Sequence, residues 1–249
     1  CIKYDPELVF IEFAVNDYWA GESTKSNMES IVRNLNSMKN PPYIVFLYTG
    51  QYNNVTGNEL SSSGNIAALQ QQVADYYGIP SINLSVDVYE KYVNERISSG
   101  VDKMTAVKEF LSTDYVHPTA NGHKLYGEYI VEKLKTKGFL KKAEIKTDWC
   151  VSSPKYDYVP KPIEITADMI NGTYIKSSDG KKFILDTGSS LSYKFSGTMV
   201  SAYMIYNADG GKYDVSIDGK VVMEKDGQFS GGYDQRILGF WVSDLKADT

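Results

Sequence analysis

The sequence predicts an α/β domain built on a parallel sheet with helices on both faces, followed by an all-β sandwich. Three observations predict it. Up to about Gly138, short unbroken apolar runs alternate with stretches of helical periodicity. Beyond about Ile163 the helical periodicity disappears, and short alternating runs separated by Gly-bearing turns take over. Between the two lies a connecting segment rich in Ser, Pro and isolated Tyr. Parallel strands need crossovers long enough to hold a helix, so strand–helix alternation implies a parallel sheet. We place the first domain at 1–142, the connection at 143–162 and the β module at 163–249.

The elements follow in order. Leu8 to Phe13 is a short run, apolar but for Glu12, as a strand covered on both faces requires. Met28, Ile31, Val32, Leu35 and Met38 recur at helical spacing, and Asn40-Pro41-Pro42 stops that helix. Tyr43 to Tyr48 is a second buried strand. Ile66 to Tyr77 is helical and ends at Gly78; Ile79 to Leu84 is a third, shorter strand. Val86 to Ile97 and Lys103 to Phe110 read as helices. Ala120 to Lys137 is the last, with Leu125, Tyr129, Ile130 and Leu134 as its buried stripe. In the second region, strands are predicted at Thr173–Ile175, Lys182–Leu185, Leu191–Phe195, Met199–Tyr206, Lys212–Ile217, Lys220–Met223 and Ile237–Val242. The turn signals Ser178-Asp179-Gly180, Asp186-Thr187-Gly188, Asp209-Gly210-Gly211, Asp218-Gly219 and Asp226-Gly227 separate them. Strands at that spacing indicate a sandwich.

Composition narrows the class. The 249 residues suit one large or two modest domains, and 42% apolar with 23% charged residues is globular composition. No apolar stretch reaches the length of a membrane span. The net charge of -5 is spread along the chain, and the lysines from Lys133 to Lys142 read as a solvated helix end rather than a nucleic-acid patch. Cys1 and Cys150 allow one disulfide and suggest neither a metal cluster nor a redox pair. Cys1 also has a reading as a lipid-bearing residue, disfavoured because no polar tether separates it from the first strand. Twenty Tyr residues favour sheet edges, and secondarily contact with sugar faces.

Two short segments carry the chemistry. An Asp three residues ahead of a His, in Asp114-Tyr115-Val116-His117-Pro118, can turn its carboxylate onto the imidazole within one loop. That fixes the tautomer a general base needs when it acts on a hydroxyl nucleophile. Asn16, in Phe13-Ala14-Val15-Asn16-Asp17-Tyr18, leaves a buried strand at its carboxyl end, where an amide can meet a developing oxyanion. Asp17 reads as the residue that holds this loop, and His123 as a packing or surface residue. These segments make most of an acyl-transfer site but contain no nucleophile.

Ala14-Val15-Asn16-Asp17 and Asp114 to His117, with Pro118, Asn121, Gly122 and His123 following, resemble the third and last sequence blocks of the SGNH (GDSL-type) hydrolases. Ala14 stands where many members have Gly. The resemblance covers about the first 140 residues and implies an SGNH/flavodoxin-like three-layer α/β fold, N-terminally truncated. The Gly-Asp-Ser block and the oxyanion Gly block would both precede Cys1. Tyr193 to Thr198 and Tyr213 to Lys220 resemble, more weakly, the jelly-roll modules of some SGNH carbohydrate esterases. The resemblance implies a serine-type acyl or acetyl esterase acting on acylated poly- or oligosaccharide, without metal or cofactor and without nucleic-acid partner. It also implies a bacterial, extracellular or cell-surface protein. His117 would be the base, Asp114 its orienting partner and Asn16 an oxyanion donor, and without the upstream Ser this fragment would be inactive.

Two other readings stand beside it. The chain reads alternatively as a carbohydrate-binding protein with a degenerate hydrolase domain. Asp186-Thr187-Gly188, after the apolar run Phe183-Ile184-Leu185, also resembles the active-site loop of aspartic peptidases. Those enzymes need two such aspartates sharing a proton, and no second Asp-Thr-Gly or Asp-Ser-Gly follows an apolar strand here.

Overall fold

A computed structural model describes residues 4–52, 65–151, 163–178, 180, 182–232, 235–243 and 245. The chain divides into two compact units, 1–161 and 162–249. Cys1, Asp179, Tyr233 and the connection from Ser152 to Pro162 lie outside the described residues, so the Cys1–Cys150 pairing falls outside them too.

In the first unit, β1 (Leu8–Glu12), β2 (Tyr43–Leu47) and β3 (Ser81–Ile82) form a parallel sheet in the order β1-β2-β3. The crossovers carry α1 (Ser23–Asn36) and α2 (Ile66–Tyr77). Gly78 closes α2 at φ 63°, a left-handed value that suits glycine at a helix end. Strand alternation sends Ile44, Phe46 and Tyr48 into one core with Met28, Val32 and Leu35 of α1 and Val73, Ala74 and Tyr77 of α2. Val45, from the same strand, enters a second core with Ile82, Val93, Val107, Phe110 and Tyr126. The latter four belong to α3 (Lys91–Ser98), α4 (Lys103–Phe110) and α5 (Ala120–Lys135).

Four expectations need correction within this unit. The third strand shrinks to Ser81–Ile82, and the helix expected from Val86 begins as a π-helical turn, Ser85–Glu90, before α3. The buried face of α5 is Gly122 and Tyr126, with Leu125, Tyr129 and Ile130 only half-buried. The reason is Phe110: its ring meets that of Tyr126 at 5.1 Å, and a Cβ on Gly122 would stand 2.4 Å from the Phe110 carbonyl oxygen. The stretch 143–151, read as the start of a connection, instead lies along α1 and α2. The fully buried Glu29 accepts from Tyr77 Oη at 2.7 Å and from the Cys150 and Val151 N–H groups at 2.6 and 3.1 Å. Arg33 donates to the Asp148 carbonyl at 3.2 Å and lies 4.3 Å from the Trp149 ring.

The second unit is built of short antiparallel pairs. They are β4 (Ile170–Asn171) with β7 (Ser190–Leu191), β5 (Tyr174–Lys176) with β6 (Phe183–Leu185), β8 (Val200–Tyr206) with β11 (Gln235–Val242), and β9 (Lys212–Ile217) with β10 (Lys220–Asp226). The predicted β character holds, but the described residues give two-stranded sheets and not two broad layers. The strand expected over Leu191–Phe195 is only Ser190–Leu191. Tyr206 and Tyr213 join through their hydroxyls at 2.6 Å, and Tyr213 donates to the Gly239 carbonyl at 2.9 Å. Of the aromatics on these strands, Tyr203 stands out at 81% exposure, whereas Tyr206, Tyr213 and Trp241 are half-buried.

Candidate active site

Asp114 and His117 lie in a closed loop between α4 and α5. Leu111 and Pro118 pair as an antiparallel bridge, and the Ser112 N–H donates to the His117 carbonyl at 2.7 Å. Thr119 caps α5 by accepting the Gly122 N–H at 3.2 Å. Tyr115 holds the left-handed conformation at φ 61°, which is strained for a bulky side chain. Its N–H donates to the Ser112 carbonyl at 2.9 Å, and its carbonyl accepts from the Tyr52 N–H at 2.9 Å. The Tyr52 and Tyr115 rings meet at 5.5 Å.

This winding brings four donors onto one carboxylate. Asp114 Oδ1 accepts from Ser112 Oγ at 2.7 Å, from the Val116 N–H at 2.9 Å and from the His117 N–H at 3.0 Å. Asp114 Oδ2 faces His117 Nδ1 at 2.7 Å. The Ser112 hydroxyl foremost, then the His117 and Val116 donors, hold the Asp114 carboxyl far below the usual carboxylate range. An ionised carboxylate only accepts, so the proton of a neutral His117 sits on Nδ1 and Nε2 carries the lone pair. The His117 side chain is 78% exposed, which leaves that nitrogen open to a hydroxyl donor.

Asn16 occupies the turn after β1. The Asp17 N–H donates to the Phe13 carbonyl at 2.8 Å, and Asp17 Oδ2 accepts from Thr24 Oγ1 at 2.6 Å. Gln70 Nε2 donates to Thr24 Oγ1 at 2.9 Å; Thr24 and Gln70 are fully buried. Asp17 thus anchors the turn in the α1/α2 layer. The Asn16 side chain is exposed and makes no hydrogen bond among the described residues. The Asn16 turn leaves the carboxyl end of β1, which is tied to the end of β2 by Thr49 Oγ1 donating to Glu12 Oε1 at 2.8 Å. The segment after β2 in turn meets the Asp114/His117 loop through Tyr52. Both predicted segments therefore belong to the carboxyl edge of the sheet, where open α/β sheets carry their sites.

The remaining predicted positions fall elsewhere. His123 is exposed on α5. Asp186 follows β6, and Thr187-Gly188 is an exposed turn with Gly188 at φ 82°, so Asp-Thr-Gly serves as a turn here. Among the described residues no group of three or more His, Cys, Asp or Glu is placed to hold a metal ion, and no helix is long and apolar enough to cross a membrane. The sequence pattern did not announce Ser112, which donates to Asp114 from two residues away within the loop, nor Tyr52, Thr24 and Gln70, which reach the two segments through tertiary contacts.

No family model and no curated protein matches the chain. Among solved structures it is similar to a two-domain esterase (CEX) active on acetylated mannans, co-crystallised with mannopentaose, with TM-score 0.60 and 16% identity over 98% of this chain and 65% of that one. A second structure of a two-domain esterase active on acetylated mannans gives TM-score 0.54 and 18% identity over 98% of this chain and 66% of that one. The likeness shows a shared mixed α/β, two-domain fold. The chain spans about two thirds of the length of those esterases.

Proposed function

We propose that this chain is the greater part of an SGNH-type serine esterase that removes acetyl groups from a polysaccharide, with acetylated mannan the foremost substrate. The observation that carries the reading is the Asp114–His117 pair. It joins a carboxylate that accepts from four donors to an imidazole whose side chain is largely exposed. The fold shared with esterases active on acetylated mannans supports the substrate class.

In this reading a Ser outside these 249 residues attacks the ester carbonyl while His117 Nε2 takes its hydroxyl proton. Asp114 stabilises the resulting imidazolium, and the Asn16 amide donates to the oxyanion of the tetrahedral intermediate. Collapse breaks the bond to the sugar oxygen, which receives the proton from His117. Water, deprotonated by the same nitrogen, then releases acetate from the acyl-enzyme and restores the Ser. The sheet has room for the segment that brings the Ser: among the described residues β1 pairs only with β2, and its Phe10 is 40% exposed. The three-layer SGNH arrangement and an extracellular location belong to the same proposal.

The test is acetate release from acetylated mannan by the protein carrying its nucleophile segment. His117→Ala is expected to lower kcat by about 10³-fold or more. Hydrolysis that survives the substitution would remove the proposed base. A residue other than Ser at the nucleophile position would favour the carbohydrate-binding reading instead.

A further inference from the structure

Three residues beyond Asn16, the same turn carries Trp19, which at 89% is the most exposed large apolar side chain among the described residues. An indole in water ordinarily belongs to a loose segment, but this one is held on both sides. The Tyr18 ring meets it edge-on, with centroids 4.6 Å apart at 85°. The Tyr18 N–H donates to the Val15 carbonyl at 3.4 Å, and the Ala20 N–H closes onto the Asp17 carbonyl at 2.7 Å, directly across Trp19. Ser23 Oγ fixes the Ala20 carbonyl at 2.6 Å, while Thr24 and Gln70 anchor Asp17 from the buried side. Exposure combined with rigid presentation is what a stacking platform needs, because little conformational entropy is lost when a ligand covers it.

We infer that Trp19 is a sugar-stacking subsite for the neutral pyranose chain whose acetyl group lies at Asn16. The inference rests on the esterase reading above and gives it a place for the polymer. Three residues of backbone reach at most about 11 Å, so the indole stands within a few sugar rings of the oxyanion position. The C–H face of a pyranose covers apolar area on such a ring, while its hydroxyls stay in water or meet polar neighbours. Lys25 and Glu22 pair with each other at 2.5 Å, and the Asp17 carboxylate is turned onto Thr24 Oγ1 at 2.6 Å, so the charges beside the indole are taken up within the protein, which suits a neutral polysaccharide.

The chain contains three tryptophans, Trp19, Trp149 and Trp241, so the inference can be read directly. 5-Fluorotryptophan labelling gives ¹⁹F signals that Trp→Phe variants assign. On titration of the 249-residue chain with mannopentaose, the Trp19 signal is expected to shift saturably. In the protein carrying the nucleophile segment, Trp19→Ala is expected to raise KM for acetylated mannan by about tenfold, the loss of one aromatic stacking contact. A Trp19 signal that stays in place, whether or not the others move, overturns the subsite, as does a KM changed less than about twofold. The titration involves no hydrolysis, so either result leaves the His117 test of the esterase reading untouched.

Discussion

At the scale of single residues, the Asp114 carboxylate decides how the loop behaves. Four donors converge on it, and replacing it with Asn keeps the shape while removing the acceptor that fixes the His117 tautomer. Asp114→Asn is therefore expected to lower kcat/KM by about 10³–10⁴-fold in acetate-release assays. Ser112→Ala removes one donor of four and is expected to cost about tenfold, with the pair still in place. The low Asp114 pKa also sets a pH dependence. A carboxyl depressed on folding contributes stability in full above the unfolded value of about 3.9, loses it as pH falls below that value, and contributes none beneath its folded pKa. Thermal melts should show a gap between the parent and Asp114→Asn that is constant above about pH 5 and narrows below about pH 4. A gap that widens on acidification would contradict the sign. The Asp114/His117 spacing was legible because both partners sit within one loop. Ser112 was not, since a Ser two residues before an Asp carries no pattern. Nor was the turn at Tyr115, where a left-handed φ is adopted without the Gly or Asn that ordinarily announces it.

At the scale of elements, helices and strands were legible wherever local periodicity fixes them. The expected Lys103–Phe110 helix and Lys212–Ile217 strand match their observed bounds. What could not be read is set by contacts between distant elements. The buried face of α5 turns toward Phe110, so Gly122 is needed for close approach rather than for flexibility. Gly122→Ala places its methyl against the Phe110 carbonyl and is expected to destabilise the protein by about 1–3 kcal/mol in urea unfolding. Glu29 lies among the polar residues of α1, yet it is buried, with the Cys150 and Val151 N–H groups donating to its carboxylate. Glu29→Ala leaves those donors and Tyr77 Oη without their acceptor and is expected to cost about 2–4 kcal/mol. Unfolding midpoints within error of the parent would show that the 143–151 stretch is held by other contacts.

At the scale of the whole molecule, the change from helical to alternating pattern near Ile163 was legible, and the two compact units divide between Lys161 and Pro162. Strand partnership in the β unit was not, because β8 pairs with β11 across two intervening strands, and turn signals report only neighbours. Tyr203 is exposed on this unit, and in the proposed function it would offer an apolar ring to polymer. Deleting 163–249 is accordingly expected to spare hydrolysis of a small soluble acetyl ester and to weaken activity on acetylated polysaccharide. Equal losses on both substrates would make the unit a structural support.

The central claim is that His117, oriented by Asp114, activates a serine lying outside these 249 residues. A fluorophosphonate, which labels serines activated in this way, tests it most directly when the adduct is located by mass spectrometry in the protein carrying its nucleophile segment. The account predicts one modified Ser outside the 249 residues, lost in His117→Ala, and no adduct on the 249-residue chain alone. An adduct on a Ser within the chain, or labelling that persists without His117, would contradict it.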